Sequence, residues 1–211
     1  DQNALLAAAG FAEPFAQPGV DEALRGPVGQ AIERMLRQQD PYPMVVMDRA
    51  YNVLRINAGA SALLPRIVAD PTALADPAHQ PLNGYKLLFD PRLARPYVVD
   101  WDASARIFLS RVHRESLERA EDRALQTLLH ELLQYPGVPE HWQQADLTLP
   151  STPVHPIRLR TPDLALGFLT TLTVFNAPQN VTLDELKIES YFPLDDETVR
   201  HCRALGAGGG G

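Results

Sequence analysis

The chain has 211 residues, 45% of them hydrophobic, and a formal net charge of −7 at pH 7, which suits one sizeable domain or two small ones. The lysines do not cluster and the arginines are scattered, which argues against a nucleic-acid surface in this segment. The single cysteine, Cys202, excludes an internal disulfide framework and favours a reducing compartment, so we expect a cytoplasmic location. No apolar run approaches the roughly 20 residues that cross a bilayer, and no membrane association is expected.

The first 40 residues predict two helices. Residues 3–9 form an alanine-rich helical segment, which Gly10 and Pro14 end, and residues 1–20 look like the end of a preceding unit. From residue 21 onward, apolar residues recur at helical spacing. Proline is tolerated only in the first turn of a helix, so the second helix should begin at about Pro27 and run to residue 39.

Residues 44–60 predict a β-hairpin followed by a helix. Met44–Met47 is an apolar run too short for a helix, and residues 51–56 are rich in aromatic and β-branched side chains. Asp48 and Arg49 supply the turn between them. Asn57 can accept a hydrogen bond from the free N–H groups of a helix over residues 58–67.

The middle of the chain predicts a loop and two long helices. Residues 69–82 carry three prolines and are interpreted as a loop that could cover a pocket, and Asp90-Pro91 is a helix-initiating pair. After Asp100 one apolar stripe is formed by Trp101, Ala105, Phe108 and Val112. A second helix presents an apolar face along residues 125–133, and Pro136-Gly137 ends it.

Beyond Trp142 the hydrophobic period changes from about 3.6 to 2, which indicates strands. Strands are predicted around residues 147–149, over 157–161, over 164–175 as an interior strand, and over 186–192. A terminal helix should cover residues 195–205 with Asp195-Asp196 as its cap. This order favours an α+β domain with an antiparallel sheet of about five strands packed against several helices.

Catalytic and metal-binding patterns are not found. His130-Glu131 resembles the start of a zinc-protease motif, but Gln134 stands where the second histidine ligand is needed, and the six histidines are dispersed. Ser61 lacks the glycine that a nucleophile elbow requires two residues later, and no phosphate-binding loop is visible. We therefore predict no enzyme activity, no metal and no cofactor.

Several of these features together resemble the C-terminal ligand-binding domain of MmyB-like transcription regulators. They are the hairpin, the Leu-Leu-Phe-Asp-Pro run at residues 87–91, the Asp100-Trp101 pair and the strand over residues 158–161, and the resemblance covers about residues 27–192. In that family a PAS-like sensor follows an N-terminal helix-turn-helix of the xenobiotic-response-element type. Residues 3–15 resemble the exit of such a helix-turn-helix domain.

The resemblance implies three regions: a tail of the helix-turn-helix domain and a linker at residues 1–20, a PAS-like ligand-binding domain at 21–205, and a flexible glycine-rich end at 206–211. DNA would be contacted only through the DNA-reading helices, which are outside this chain. The resemblance also implies a fatty-acid-like ligand, small and apolar or amphipathic, held between the sheet and the helices.

Candidate ligand contacts follow from that expectation. Apolar walls are expected from the stripe after Asp100 and from one face of the strand over 164–175, and a guanidinium on the long helix could meet a carboxylate in bidentate fashion. Asn57 is most simply a helix cap, with ligand contact as the alternative. The candidates are Asn57, Trp101, Ala105, Arg106, Phe108, Arg111, Val112, Phe168, Thr170 and Leu172.

An alternative function is a dimerisation module with a filled core and no ligand. Many operators are palindromic and are read by dimers. The apolar face along residues 125–133 could pack against the same face of a second copy of the chain. The sensor and homodimer hypotheses are compatible, and we rank the sensor first. An enzyme is the third and weakest hypothesis.

Overall fold

The computed structural model describes residues 24, 26–119, 122–143, 156–174 and 186–208. The helix predicted at residues 3–9, the strand around 147–149 and most of the glycine-rich end lie outside this described part. No described helix is both long enough and apolar enough to span a bilayer.

Five antiparallel strands form one sheet in the described part of the chain. The strands are β1 (Met44–Met47), β2 (Val53–Ile56), β3 (Ile157–Arg160), β4 (Ala165–Val174) and β5 (Lys187–Pro193). Their order is β2-β1-β5-β4-β3, so the last strand in sequence occupies the middle of the sheet. β4 is an interior strand, as predicted, and its pairing with β5 runs from Phe168 to Val174.

Six α-helices accompany the sheet among the described residues. They are α1 (Pro27–Gln39), α2 (Ala58–Leu63), α3 (Gly84–Phe89), α4 (Trp101–Glu118), α5 (Arg123–Gln134) and α6 (Asp196–Gly208). Short 3-10 turns at Leu64–Arg66, Pro71–Ala75, Pro77–His79 and Arg95–Tyr97 connect them. The predicted α+β, PAS-like architecture is confirmed.

Each face of the sheet is covered over part of its area, and the last four residues of β4 are exposed. On the outer face, Ile32 and Leu36 of α1 pack against Val46 and Ile188, and all four are buried. The inner face packs against the larger core that includes α3, α4 and α5, with Phe168 of β4 among its most buried side chains. Because side chains alternate along a strand, β1, β2 and β5 contribute residues to both of these layers, whereas β3 and β4 contribute only to the inner one.

Local capping interactions define several helix ends. The Asn57 side chain accepts a hydrogen bond from Ala60 N at 2.9 Å and begins α2, and Asp195 Oδ1 accepts one from Thr198 N at 2.7 Å at the start of α6. Both caps were predicted from the sequence. α2 is shorter than predicted because Pro65 lacks a backbone N–H, and the chain continues as a 3-10 turn.

One predicted helix start is wrong. Asp90-Pro91 follows α3 rather than initiating a helix, and Asp90 Oδ1 accepts a hydrogen bond from Arg92 N at 2.7 Å in a turn. A residue before proline is disfavoured in the α region, which ends α3 here. Its true cap is Asn83, whose side chain accepts hydrogen bonds from the N–H groups of the first helical turn.

The apolar face of α5 is also not where the dimerisation hypothesis needs it. Leu125, Leu128 and Leu132 are buried in the main core of the same chain. The prediction that this face is available to pack against a second copy of the chain is therefore wrong, because the core of the same chain covers it. Dimerisation as such stays a prediction.

Candidate ligand-binding site

A cavity lies between the inner face of the sheet and helices α2, α3 and α4. The space open to the centre of a water molecule is about 120 Å³. Since about 10–15 Å³ of such space holds one water, the cavity is larger than an ordinary packing defect. Most of its lining is aliphatic or aromatic, which is the composition of sites for apolar or amphipathic small molecules.

The hairpin and α2 supply one wall of the cavity. Val45, Met47, Val53 and Ile56 face it from β1 and β2, and the α2 region adds Ala60, Leu63, Leu64 and Ile67. None of these residues was among the sequence candidates. In β1 the alternation of Val45 and Met47 with Val46 is a sequence signal for an inner face. In β2 a register shift brings Val53 and Ile56, three residues apart, to that same face, which alternation does not predict.

Helix α4 presents two of the predicted residues and one further residue to the cavity. Phe108 and Arg111 line it together with Ile107, and Arg111 shares a side of the helix with each of the other two because it follows them by three and four positions. Trp101, Ala105 and Val112 are buried in the core beside the cavity without lining it. The Trp101 indole packs against Phe89 and donates to Gly137 O at 2.6 Å, which accounts for its burial.

The candidates on β4 lie at the cavity, whereas two polar candidates do not. Phe168, Thr170 and Leu172 line it from alternate positions of one strand face. Arg106 lies elsewhere on α4, where its Nη1 donates to the backbone oxygen of His141 at 3.0 Å. Asn57 is buried as the cap of α2 and is absent from the cavity lining. Whether any candidate contacts a ligand stays a prediction.

Sequence reasoning found Arg111 and Thr170 but missed four other polar residues on the cavity wall. Glu189 and Tyr191 reach it from β5, Tyr51 from the hairpin and Tyr85 from α3. Tyr191 donates its hydroxyl to Glu189 Oε2 at 2.9 Å, and the Tyr51 and Tyr85 rings meet edge to face with centroids 4.4 Å apart. The sequence signal is the alternation of Lys, Glu and Tyr with apolar residues along β5, which is typical of a half-exposed strand.

A buried ion pair stands beside this polar group. Lys187 Nζ lies 2.5 Å from Glu115 Oε2, and the Tyr51 hydroxyl donates to Glu115 Oε1 at 2.7 Å. The Lys187 ammonium also lies 3.6 Å from the centre of the Tyr51 ring, a cation–π contact. Burial lowers the pKa of Lys187 and the contact with Glu115 opposes that shift. The opposite charges of Lys187 and Glu115 balance each other, and the contacts that both residues make with Tyr51 hold its ring at the cavity.

The loop over residues 69–82, interpreted from the sequence as a possible cover, touches the cavity through Leu82. Its two 3-10 turns are tied down by Arg92, whose guanidinium reaches Asp70 Oδ2 at 3.1 Å and Asp76 Oδ2 at 3.0 Å. His79 Nε2 lies 3.0 Å from Asp90 Oδ2 at the same place. These contacts hold the segment against α3, and a covering role stays a prediction.

The Glu189 carboxyl makes stability pH-dependent. Burial raises its pKa, and the Tyr191 hydroxyl and the Arg111 charge oppose that shift. The native state therefore binds the proton more tightly than the unfolded chain above the ordinary glutamate pKa of about 4.3, and the free energy of unfolding falls as pH rises through that window. Glu189→Gln cannot titrate, so we expect wild type to lose stability relative to this variant as pH rises above the ordinary glutamate pKa.

Urea unfolding at about pH 4, 6 and 8 measures this effect. Glu118→Gln, at an exposed position near the end of α4, is the matched control for the effect of a Glu-to-Gln change outside the cavity. A constant difference between wild type and Glu189→Gln across the range would contradict the prediction.

Comparison with known protein families gives a match over most of the chain. The family model described as the MmyB-like transcription regulator ligand binding domain matches residues 28–205. A search of curated proteins finds no match. The matched range includes every strand of the sheet and every described residue that lines the cavity.

Proposed function

Because the chain belongs to the MmyB-like transcription regulator ligand binding domain family, we propose that it senses a small apolar or amphipathic molecule with a fatty-acid-like chain. The chain of the ligand occupies the cavity between the sheet and α2, α3 and α4. The observation that carries this proposal is an apolar cavity with one polar end, the composition that such a molecule needs.

The proposed ligand lies with its chain along the hairpin and α2 walls and its polar end near Arg111. Val45, Val53 and Leu63 are apolar contacts for the chain, and Arg111 is a charged group at the wall. Of the sequence candidates, Phe108, Arg111, Phe168, Thr170 and Leu172 are retained as ligand contacts. Each methylene moved from water into the cavity contributes about 0.8 kcal/mol to binding.

The response to the ligand is a shift between two conformations of a bacterial cytoplasmic regulator. A ligand moves such an equilibrium only by its difference in affinity for the two states. DNA binding belongs in this proposal to a helix-turn-helix outside the described domain, and the acidic balance of this chain accords with that division.

Native mass spectrometry of the purified chain, repeated after denaturation, tests the sensor. We expect an added mass that is present in the native spectrum and lost on denaturing. A spectrum without added mass, together with no thermal shift across a panel of lipids and metabolites, would count against a sensor.

A homodimer is the second part of the proposal. Leu172 and Val174 are 39% and 57% exposed and stand at alternate positions on one face of β4, whereas Phe192, 42% exposed, lies on the opposite face of the sheet. The exposed apolar pair on β4 is the surface that supports association. The stoichiometry in the same native spectrum checks this, and a monomer at high concentration by light scattering would exclude it.

A further inference from the structure

The charges on the cavity wall are balanced. Of the described residues that line it, Arg111 and Glu189 are the two with charged side chains. The other polar groups are hydroxyls, among them those of Thr170, Tyr85 and Tyr191. A ligand head group that enters therefore meets one positive and one negative group rather than a basic site.

Glu189 occupies an unusual place for a carboxylate. It lies on the central strand, directly opposite Val45 of β1 and Leu172 of β4, so its side chain stands in an apolar row across the inner face of the sheet. Tyr191 donates to one of its oxygens at 2.9 Å, and the Thr170 hydroxyl lies beside it. A buried carboxylate is costly unless it is paired or hydrogen-bonded, and a partner entering the cavity can add to these contacts.

Arg111 faces the same space from α4. Its guanidinium is half-buried beside the hydroxyl of Tyr85, and its charge acts on Glu189. No ion pair within 4.0 Å joins the two side chains in the described structure. Guanidinium N–H groups and carboxylate oxygens thus both remain available to a head group placed between them.

We propose that this end of the cavity takes an uncharged head group, such as the amide of an acyl chain, which accepts a hydrogen bond from Arg111 and donates one to Glu189. Glu189 is the residue that selects against a free carboxylate. This inference rests on the proposed function, since it names the chemical class of the ligand for the same cavity.

Charge balance gives the physical reason. A carboxylate that pairs with Arg111 brings a second negative charge next to Glu189 in a low-dielectric site, and one of the two acids must then take up a proton. An ammonium group that pairs with Glu189 meets the corresponding repulsion from Arg111. An amide offers a hydrogen-bond acceptor to Arg111 and a donor to Glu189 without adding charge. It therefore leaves no buried charge without an opposite charge and no buried polar group without a hydrogen-bond partner.

Three probes with the same ten-carbon chain test the inference: decanamide, decanoic acid and decylamine. Calorimetric titration at about pH 8 keeps the acid and the amine ionised. We expect decanamide to bind wild type at least about tenfold more tightly than either charged probe, the separation that 1.4 kcal/mol produces.

Two neutralising variants should each shift the preference away from decanamide, one toward the acid and the other toward the amine. Glu189→Gln should raise the affinity for decanoic acid relative to decanamide by at least about tenfold, and Arg111→Gln should do the same for decylamine. A general loss of packing cannot produce opposite changes for the two charged probes. Glu118→Gln, on the exposed end of α4, is the control and should leave all three affinities unchanged.

The outcomes separate this inference from the function it depends on. If decanoic acid binds wild type most tightly, or if Glu189→Gln leaves the ratio of acid to amide affinity unchanged, the head-group inference is overturned while the sensor function stands. If none of the three probes binds wild type, the head-group inference and the sensor function both fail for ligands with a ten-carbon chain. The wild-type ranking needs no variant, so a variant that does not fold leaves the test intact.

Discussion

Asn57→Ala is expected to lower the free energy of unfolding by about 3 kcal/mol, combining the loss of a helix cap with buried groups left unpaired. Asn57 Oδ1 accepts hydrogen bonds from Met44 N and Ala60 N, both at 2.9 Å, and Nδ2 donates to Tyr42 O at 2.8 Å. The side chain therefore joins the start of β1 to the start of α2. Urea unfolding monitored by circular dichroism measures the loss.

Asp195→Ala is the matched control. Asp195 caps α6 in the same way, with Oδ1 accepting from Thr198 N, but its side chain is exposed to water. We expect a loss of about 1 kcal/mol there, because water replaces the missing oxygen. Equal losses at the two caps would show that burial adds nothing at Asn57 and would contradict the assignment of a structural role to its buried contacts.

The second large effect is expected from filling the cavity. Val45→Phe extends a phenyl ring from β1 into the space that the proposed chain occupies, and aromatic residues are well tolerated in strands. Displacing two to four methylenes, each worth about 0.8 kcal/mol, should weaken binding of a ten-carbon chain by about 10- to 200-fold. Calorimetric titration with decanamide and decanoic acid measures the change for both head groups.

Val174→Phe makes the same substitution outside the cavity. Val174 is 57% exposed at the end of β4 and does not line the cavity, so binding should be unchanged. Unfolding curves for both variants establish that they are folded. Undiminished binding by a folded Val45→Phe protein would place the ligand elsewhere and refute the proposed site.

The elements that the sequence predicted well are those with local causes. α1, α4 and α5 follow from apolar residues at helical spacing, and the caps Asn57 and Asp195 follow from side chains that bond to their own helix. These interactions lie within a few residues of one another, so tertiary context does not alter them. The prediction of a helix start at Asp90-Pro91 failed because Asn83 had already started α3 about two turns earlier.

The candidate site was predictable only in part. Once β4 was recognised as a strand, Phe168, Thr170 and Leu172 had to share one face, and the structure places that face at the cavity. On α4 the apolar stripe through Trp101 identified the core, whereas the cavity borders the adjacent strip with Ile107 and Arg111. A helix turns 100° per residue, so the side that meets a cavity depends on how the helix is rotated against its neighbours.

By itself the sequence determined the fold class, most of the helices and the alternation of residues along each strand. Only the tertiary structure decided which set on β5 points into the cavity. Because α1 covers the outer face, Leu186 and Ile188 find an apolar layer there, and Lys187, Glu189 and Tyr191 turn inward. The physical reason is that alternation divides the residues of a strand between two faces without showing which face borders the cavity. In this sheet both faces carry buried apolar residues, so an apolar side chain does not by itself identify the cavity face.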